Sequence, residues 1–182
     1  AKILDLGYPG GPNVEKFAKI GNENSFNLAE PIINRGGCNL SLAGLKTDVL
    51  RKSKNIKSRQ ERYDLAASFQ KTINKILSKK TEVAMEKFRE EISDSSTKPF
   101  VIAGGVAANE TIRKNLKNLS KKMNFKPIFP SQELCGDNAA MIAWAGIQRY
   151  KKKLFDNKNK SVKSRWPLDK NAPFLKGPGL RL

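Results

Sequence analysis

The chain has 182 residues, 38% of them hydrophobic, and a formal net charge of +18 with no histidine at all. A positive excess of this size points to a polyanionic partner, because a surface that binds one gains free energy from released counterions. The composition excludes an imidazole base or a histidine metal ligand within the chain, and no apolar run approaches the roughly 20 residues that a membrane-spanning helix needs. Cys38 and Cys135 stand far apart, which suits neither a disulfide framework nor a CxxC metal knuckle, so reduced thiols in a cytoplasmic protein are expected.

The chain opens on "AKILDL", which reads as the tail of a helix, with no basic segment followed by a long apolar one as a secretory leader would have. "GYPGGP" is turn chemistry, and Pro12 suits the first position of a helix carrying Val14, Phe17 and Ala18 on one side. Residues 21–37 read as loop. In "CNLSLAGLKTDVLRK" the alternation of Leu40 and Leu42 predicts a short strand, which turns helical after Gly44. Basic residues gather over residues 46–62.

From Gln60 the spacing of Leu65, Ala66, Phe69, Ile73, Ile76 and Leu77 predicts a core-facing helix, with Val83, Phe88 and Ile92 continuing the stripe. "SDSSTKP" ends it. A strand over 100–103, a helix over 107–123, a short strand in "KPIFP" and a helix in "CGDNAAMIAWAGIQRY" predict a βαβα unit on a parallel sheet. From Lys151 onward charges, Asn, Pro and Gly dominate without periodicity, and this tail reads as extended or disordered. The division expected is a core over residues 1–150 and a basic, irregular tail over 151–182.

Three corners stand out. Gly104 and Gly105 sit between strand and helix, where ligands of open α/β sheets bind; bare backbone N–H groups there could hold a phosphate, or the pair could simply make a tight turn. Asn109 reads either as a helix cap or as an amide facing a nucleoside. Gly10 and Gly11 make a second such corner, with Glu15 in the following first turn either favouring the helix dipole or facing ribose hydroxyls. Asp137 is a natural N-cap of the last helix, with Asn138 beside it; its carboxylate could also ligate a divalent ion. The slim Ala139–Ala140–Ala143–Ala145–Gly146 face suits close packing on a sheet.

Together "YPGGP", "LSLAGLKT", "AGGVAAN" followed by "IR", and "CGDNAAMIAWAG" resemble the tRNA N6-adenosine threonylcarbamoyltransferase family, formerly called O-sialoglycoprotein endopeptidases, over about residues 1–150. "RWPLD" resembles the C-terminal extensions of some bacterial members. The resemblance implies an α/β fold, a portion of the actin, heat-shock ATPase and sugar kinase-like fold without its N-terminal half. The chain is then expected to be the C-terminal part of a longer protein, inactive alone. The family pattern implies that Gly11 lines the nucleotide pocket, Glu15 lies near the ribose and Asn109 contacts the nucleotide, and the backbone of Gly104 and Gly105 is the candidate for the adenylate phosphate. It makes Asp137 one of three ligands to a divalent metal, iron or zinc, with the other two being histidines upstream. Leu40 and Leu42 replace the aromatics of the usual FSFSGLKT, and Ala43 its second Ser. The implied reaction moves a threonylcarbamoyl group from threonylcarbamoyl-AMP to N6 of the adenosine next to the tRNA anticodon. Implied partners are tRNA, a catalytically silent paralogue of the same fold and a small P-loop ATPase, with no membrane. No residue of the chain reads as a nucleophile or base, and Cys135 reads as structural. Two other readings use the same features: a basic RNA-binding module without catalysis, and a sugar or acetate kinase relative.

Overall fold

The computed structural model describes residues 1–156. By contact the chain divides into one unit ending at Asn138 and a second beginning at Ala139. The tail expected to be irregular lies, from residue 157 on, outside the described residues.

The first unit is organised by one long helix. Helix α1 spans Gly10–Ala18, α2 spans Ala43–Ser53, and α3 runs for 33 residues over Arg59–Glu91. Helix α3 begins at a reciprocal cap: the Ser58 hydroxyl accepts from the Glu61 N–H at 3.1 Å, and the Glu61 carboxylate accepts from the Ser58 N–H at 3.4 Å and the Lys57 N–H at 2.7 Å. Its apolar stripe supplies Leu65, Ala66, Ile73 and Ile76 to the core. Leu45 and Val49 of α2 join them, as do Leu4, Leu6, Leu28 and Ile33 from the irregular segments.

Residues 21–37 form no regular element, as expected, yet they are held in place by polar side chains of the helices. Asp64 accepts from the Asn22 N–H at 2.8 Å and Ser68 from the Phe26 N–H at 3.2 Å. Asp48 accepts from the Ala29 N–H at 2.9 Å, and the Lys80 amine donates to the carbonyls of Arg35 (2.6 Å) and Gly37 (3.2 Å). Gly21 comes so close to α3 that a Cβ there would lie 2.1 Å from the Tyr63 carbonyl oxygen. Burial pushes the Asp48 carboxyl up, but the Ala29 N–H, the Arg51 guanidinium and Lys52 outweigh it and hold the group below the usual carboxylate range.

Strand β1 (Lys98–Val101) and strand β2 (Phe125–Ile128) pair in parallel, Lys98 opposite Phe125, with α4 (Glu110–Lys122) as the crossover. This is the expected βαβ unit, and α4 adds Ile112 and Leu116 to the core. Arg89, at the end of α3, fastens the unit: its guanidinium donates to the carbonyls of Asp94, Ser96 and Asn124 and lies 4.6 Å from the Phe125 ring centroid. Burial at the Gly-rich end of this unit is slight, and Val101 and Ile128 are exposed.

Three expectations change. The chain opens on reverse turns, not a helix end: Leu4 and Asp5 donate back to Ala1 and Lys2, and Asp5 has φ of +55°. Residues 38–42 form no strand, because a strand is defined by its ladder and among the described residues only β1 and β2 pair. Strand β1 starts and stops two residues earlier than predicted, since its ladder is set by Phe125–Ile128. The second unit contains α5 (Ala139–Lys151).

Candidate functional site

The two glycine corners open into one cavity of about 910 Å³. Gly10, Gly11 and Glu15 of α1 form one wall, Gly105, Val106 and Asn109 another, and Phe69, Gln70, Ile73 and Leu77 of α3 the floor between them. A volume of several hundred cubic ångströms with an apolar floor and a few convergent polar groups is what a small-molecule site looks like.

Each wall is fixed by local backbone chemistry. Gly104 has φ of +87° and ψ of 171°, a region that essentially only glycine enters at low cost. It leads into a 3-10 turn, Gly105–Ala108, whose leading N–H groups have no partner within the turn. The sequence predicts a helix from residue 107; instead the turn runs through Ala108 and α4 starts at Glu110 with Asn109 as its cap. A Cβ at Gly105 or Gly11 would meet no atom of the described residues within 4 Å.

Glu15, Lys19, Gln70, Asn109 and Glu110, all on the cavity, are already partnered. The Asn109 Oδ1 accepts from the Ile112 N–H at 3.0 Å, and its Nδ2 donates to Gln70 Oε1 at 2.9 Å. The cap is therefore real, and one amide hydrogen and one lone pair of Asn109 remain for a ligand. Helix α1 starts at Gly10 rather than Pro12, so Glu15 stands beyond its first turn. Its Oε1 accepts from the Glu110 N–H at 2.8 Å, which places a carboxylate at the positive end of α4 instead. With the Glu110 and Ile112 amides taken, an anion in the cavity finds its backbone donors at the 3-10 turn rather than at the tip of α4. Lys19 and Glu110 pair across the rim at 3.0 Å; the Lys19 amine is pushed up by its hydrogen bond to Glu110 and by that charge.

Sequence reasoning missed the side chain that holds the corner in place. Arg113 donates through Nε to the Ala107 carbonyl, and through Nη2 to the Pro130 carbonyl at 2.7 Å and the Cys135 sulfur at 3.0 Å. Its guanidinium carbon lies 4.9 Å from the Phe129 ring centroid. The Gly-Gly corner and the loop after β2 are thus one assembly. The "IR" after "AGGVAAN" was the only trace of this in the sequence. Gln70 was equally hidden, a polar residue beside Phe69 in an otherwise apolar stripe.

Cys135 is buried against this clamp, as a structural thiol would be; Cys38 is exposed. Asp137 is placed differently from the glycines. It is exposed, it lies outside the residues lining the cavity, and its carboxylate has no hydrogen-bonding partner among the described residues. Helix α5 begins at Ala139, so Asn138, not Asp137, occupies the position before it. The Asn138 amide donates to the carbonyls of Leu134 (3.3 Å) and Gly136 (3.0 Å), which closes the loop. No three or more His, Cys, Asp or Glu side chains among the described residues are placed to share a metal ion. Asp137 is a single donor, and these residues do not make a metal centre by themselves.

A family model described as tRNA N6-adenosine threonylcarbamoyltransferase matches residues 1–144, the stretch that holds both glycine corners and Asp137. The chain belongs to that family. A relative of that name from Pelagibacter ubique (strain HTCC1062) is 55% identical over 182 residues, covering 100% of this chain and 51% of the relative. Another of the same name, from Rickettsia rickettsii (strain Sheila Smith), is 46% identical over 171 residues, 93% of this chain and 50% of the relative. The chain spans about half the length of the curated relatives it matches. No helix among the described residues is long and apolar enough to cross a membrane.

Proposed function

We propose that this chain forms the nucleotide-facing part of an enzyme that moves a threonylcarbamoyl group from threonylcarbamoyl-AMP to N6 of the adenosine next to the anticodon of tRNA. The observation that carries this reading is the convergence of the two glycine corners on one cavity of about 910 Å³. Family membership supports it and weighs against a sugar or acetate kinase relative.

In this reading the leading N–H groups of the Gly104–Gly105 turn hold the adenylate phosphate, and bare Gly11 lets it lie close to α1. Glu15 keeps one carboxylate oxygen on α4 and offers the other to the ribose. Asn109, oriented by Gln70, offers its second amide hydrogen to the nucleotide. The fold expected around these walls is the actin and sugar kinase-like one, of which residues 1–150 would be a portion.

The reaction is an acyl transfer. The adenosine N6 amine attacks the carbamoyl carbon, the C–O bond of the mixed anhydride breaks, AMP leaves with that electron pair, and the displaced N6 proton passes to solvent. Fixed amide donors help because they are aimed before the charge arrives. Asp137 would give one carboxylate to a divalent iron or zinc ion whose imidazole donors come from outside this chain; such an ion acts as a Lewis acid toward a carbonyl. A silent paralogue and a small P-loop ATPase are the proposed protein partners, and the cytoplasm the proposed location.

Titration of the full-length gene product with threonylcarbamoyl-AMP, followed by addition of tRNA, tests the reading. Saturable binding and N6-modified tRNA are expected; tRNA binding with no nucleotide binding would favour the bare RNA-binding module. Asp137→Ala in the same protein should remove its metal by elemental analysis, and unchanged metal content would refute the ligand role.

A further inference from the structure

The basic stretch over residues 46–62 takes no part in the glycine cavity. Its end folds around a second cavity, of about 640 Å³, at the head of α3. Lys57, Arg59, Arg62 and Tyr63 form one side, and Gly7 and Phe17 the other. The acidic groups nearby are spoken for. Asp5 pairs with Arg62 at 3.1 Å, Glu61 is turned back onto the N–H groups of Lys57 and Ser58, and Asp48 is buried against Arg51 and Lys52. Lys57 and Arg59 therefore have no carboxylate partner among the described residues. The wall beside them is stiff: Tyr63 stacks on Phe17 with centroids 4.6 Å apart and planes 4° apart, and the Arg59 guanidinium carbon lies 5.8 Å from the Tyr63 centroid.

The two cavities share their walls. Helix α1 supplies Glu15 to one and Phe17 to the other; α3 supplies Gln70 to one and Arg62 to the other. At about 1.5 Å per residue, Arg62 and Gln70 stand roughly 12 Å apart along α3. A mononucleotide fills one cavity. A chain of phosphates reaches both, and unpaired cations beside an aromatic stack are the chemistry that grips such a backbone.

We propose that the cavity at the head of α3 binds the sugar–phosphate backbone of the acceptor RNA, with Lys57 and Arg59 each neutralising a phosphodiester. This rests on the acyl-transfer reading above for the identity of the RNA as tRNA. The cavity sets the register of the RNA, so that the target base reaches the adenylate site next door.

The test measures tRNA binding by the full-length gene product over a series of salt concentrations, for the wild type and for the double variant Lys57→Ala with Arg59→Ala. Both side chains lie outside the glycine cavity, and the Ser58–Glu61 cap is left intact. The double variant should bind tRNA about tenfold more weakly near 100 mM salt, with the slope of log K against log salt shallower by about 1.5. AMP binding should stay as in the wild type, and Lys57→Arg with Arg59→Lys should restore tRNA affinity. Unchanged affinity and slope in the double variant would overturn the inference, as would parallel loss of AMP binding. A wild type that binds AMP but no tRNA would overturn the acceptor reading itself, and this inference with it.

Discussion

The glycine corners and the aspartate corner carry equally legible motifs but are built to different degrees within this chain. Gly10, Gly11 and Gly105 meet across one cavity, which Gly104 adjoins without lining, and each wall is braced from inside the chain, by Asn109 and Gln70 on one side and by Glu15 on the Glu110 amide on the other. Asp137 is exposed, with no second or third donor among the described residues. The difference follows from what each site is made of. A cradle of backbone amides is complete wherever its turns are; a coordination sphere is complete only when donors from every contributing segment are present.

Mutations sharpen this contrast. The largest effect is expected from Arg113→Ala, which removes three charge-assisted bonds that join the corner to the loop after β2. A loss of about 3 kcal/mol in urea unfolding is expected, together with faster labelling of the Cys135 thiol. Gly104→Ala forces an L side chain into a conformation with φ of +87° and should cost about 2 kcal/mol by the same measurement. Asn109→Ala removes the cap of α4 and should cost about 1 kcal/mol.

Two carboxylates then separate braced from unbraced. The folded-state pKa of Asp48 lies below its unfolded value, so its contribution is present at neutral pH and is lost as pH falls from about 3.8 through the folded value. Asp48→Asn should cost under about 1 kcal/mol at pH 7, since the amide still accepts from Ala29 and the lost ion pairs reach solvent. Once pH has fallen below the folded value, the variant and wild type should converge in urea unfolding. In the metal-free protein Asp137→Ala should leave stability within about 0.5 kcal/mol; a larger loss there would mean that its carboxylate braces the loop.

Much of this was readable in the residues. The stripe of α3 and the Gly-Gly corner follow from local spacing and backbone freedom, which the chain carries in adjacent residues. The failures share one cause. Leu40 and Leu42 alternate like a strand, but strand identity depends on a partner segment. The Arg113 clamp joins residues brought together only by the crossover, and the Glu15 carboxylate serves a helix far away in sequence. Ser58 and Glu61 could have been found from their spacing alone.

The central claim is that the two glycine corners are left bare for a nucleotide. Gly11→Val and Gly105→Val test it most directly, because in each case the added side chain has no atom of the described residues within 4 Å of its Cβ. Calorimetric titration of the full-length protein with AMP should show both variants folded to the wild-type melting temperature yet binding at least about tenfold more weakly, a loss of roughly 1.4 kcal/mol or more. Binding unchanged in both would mean that the cavity is not the nucleotide site.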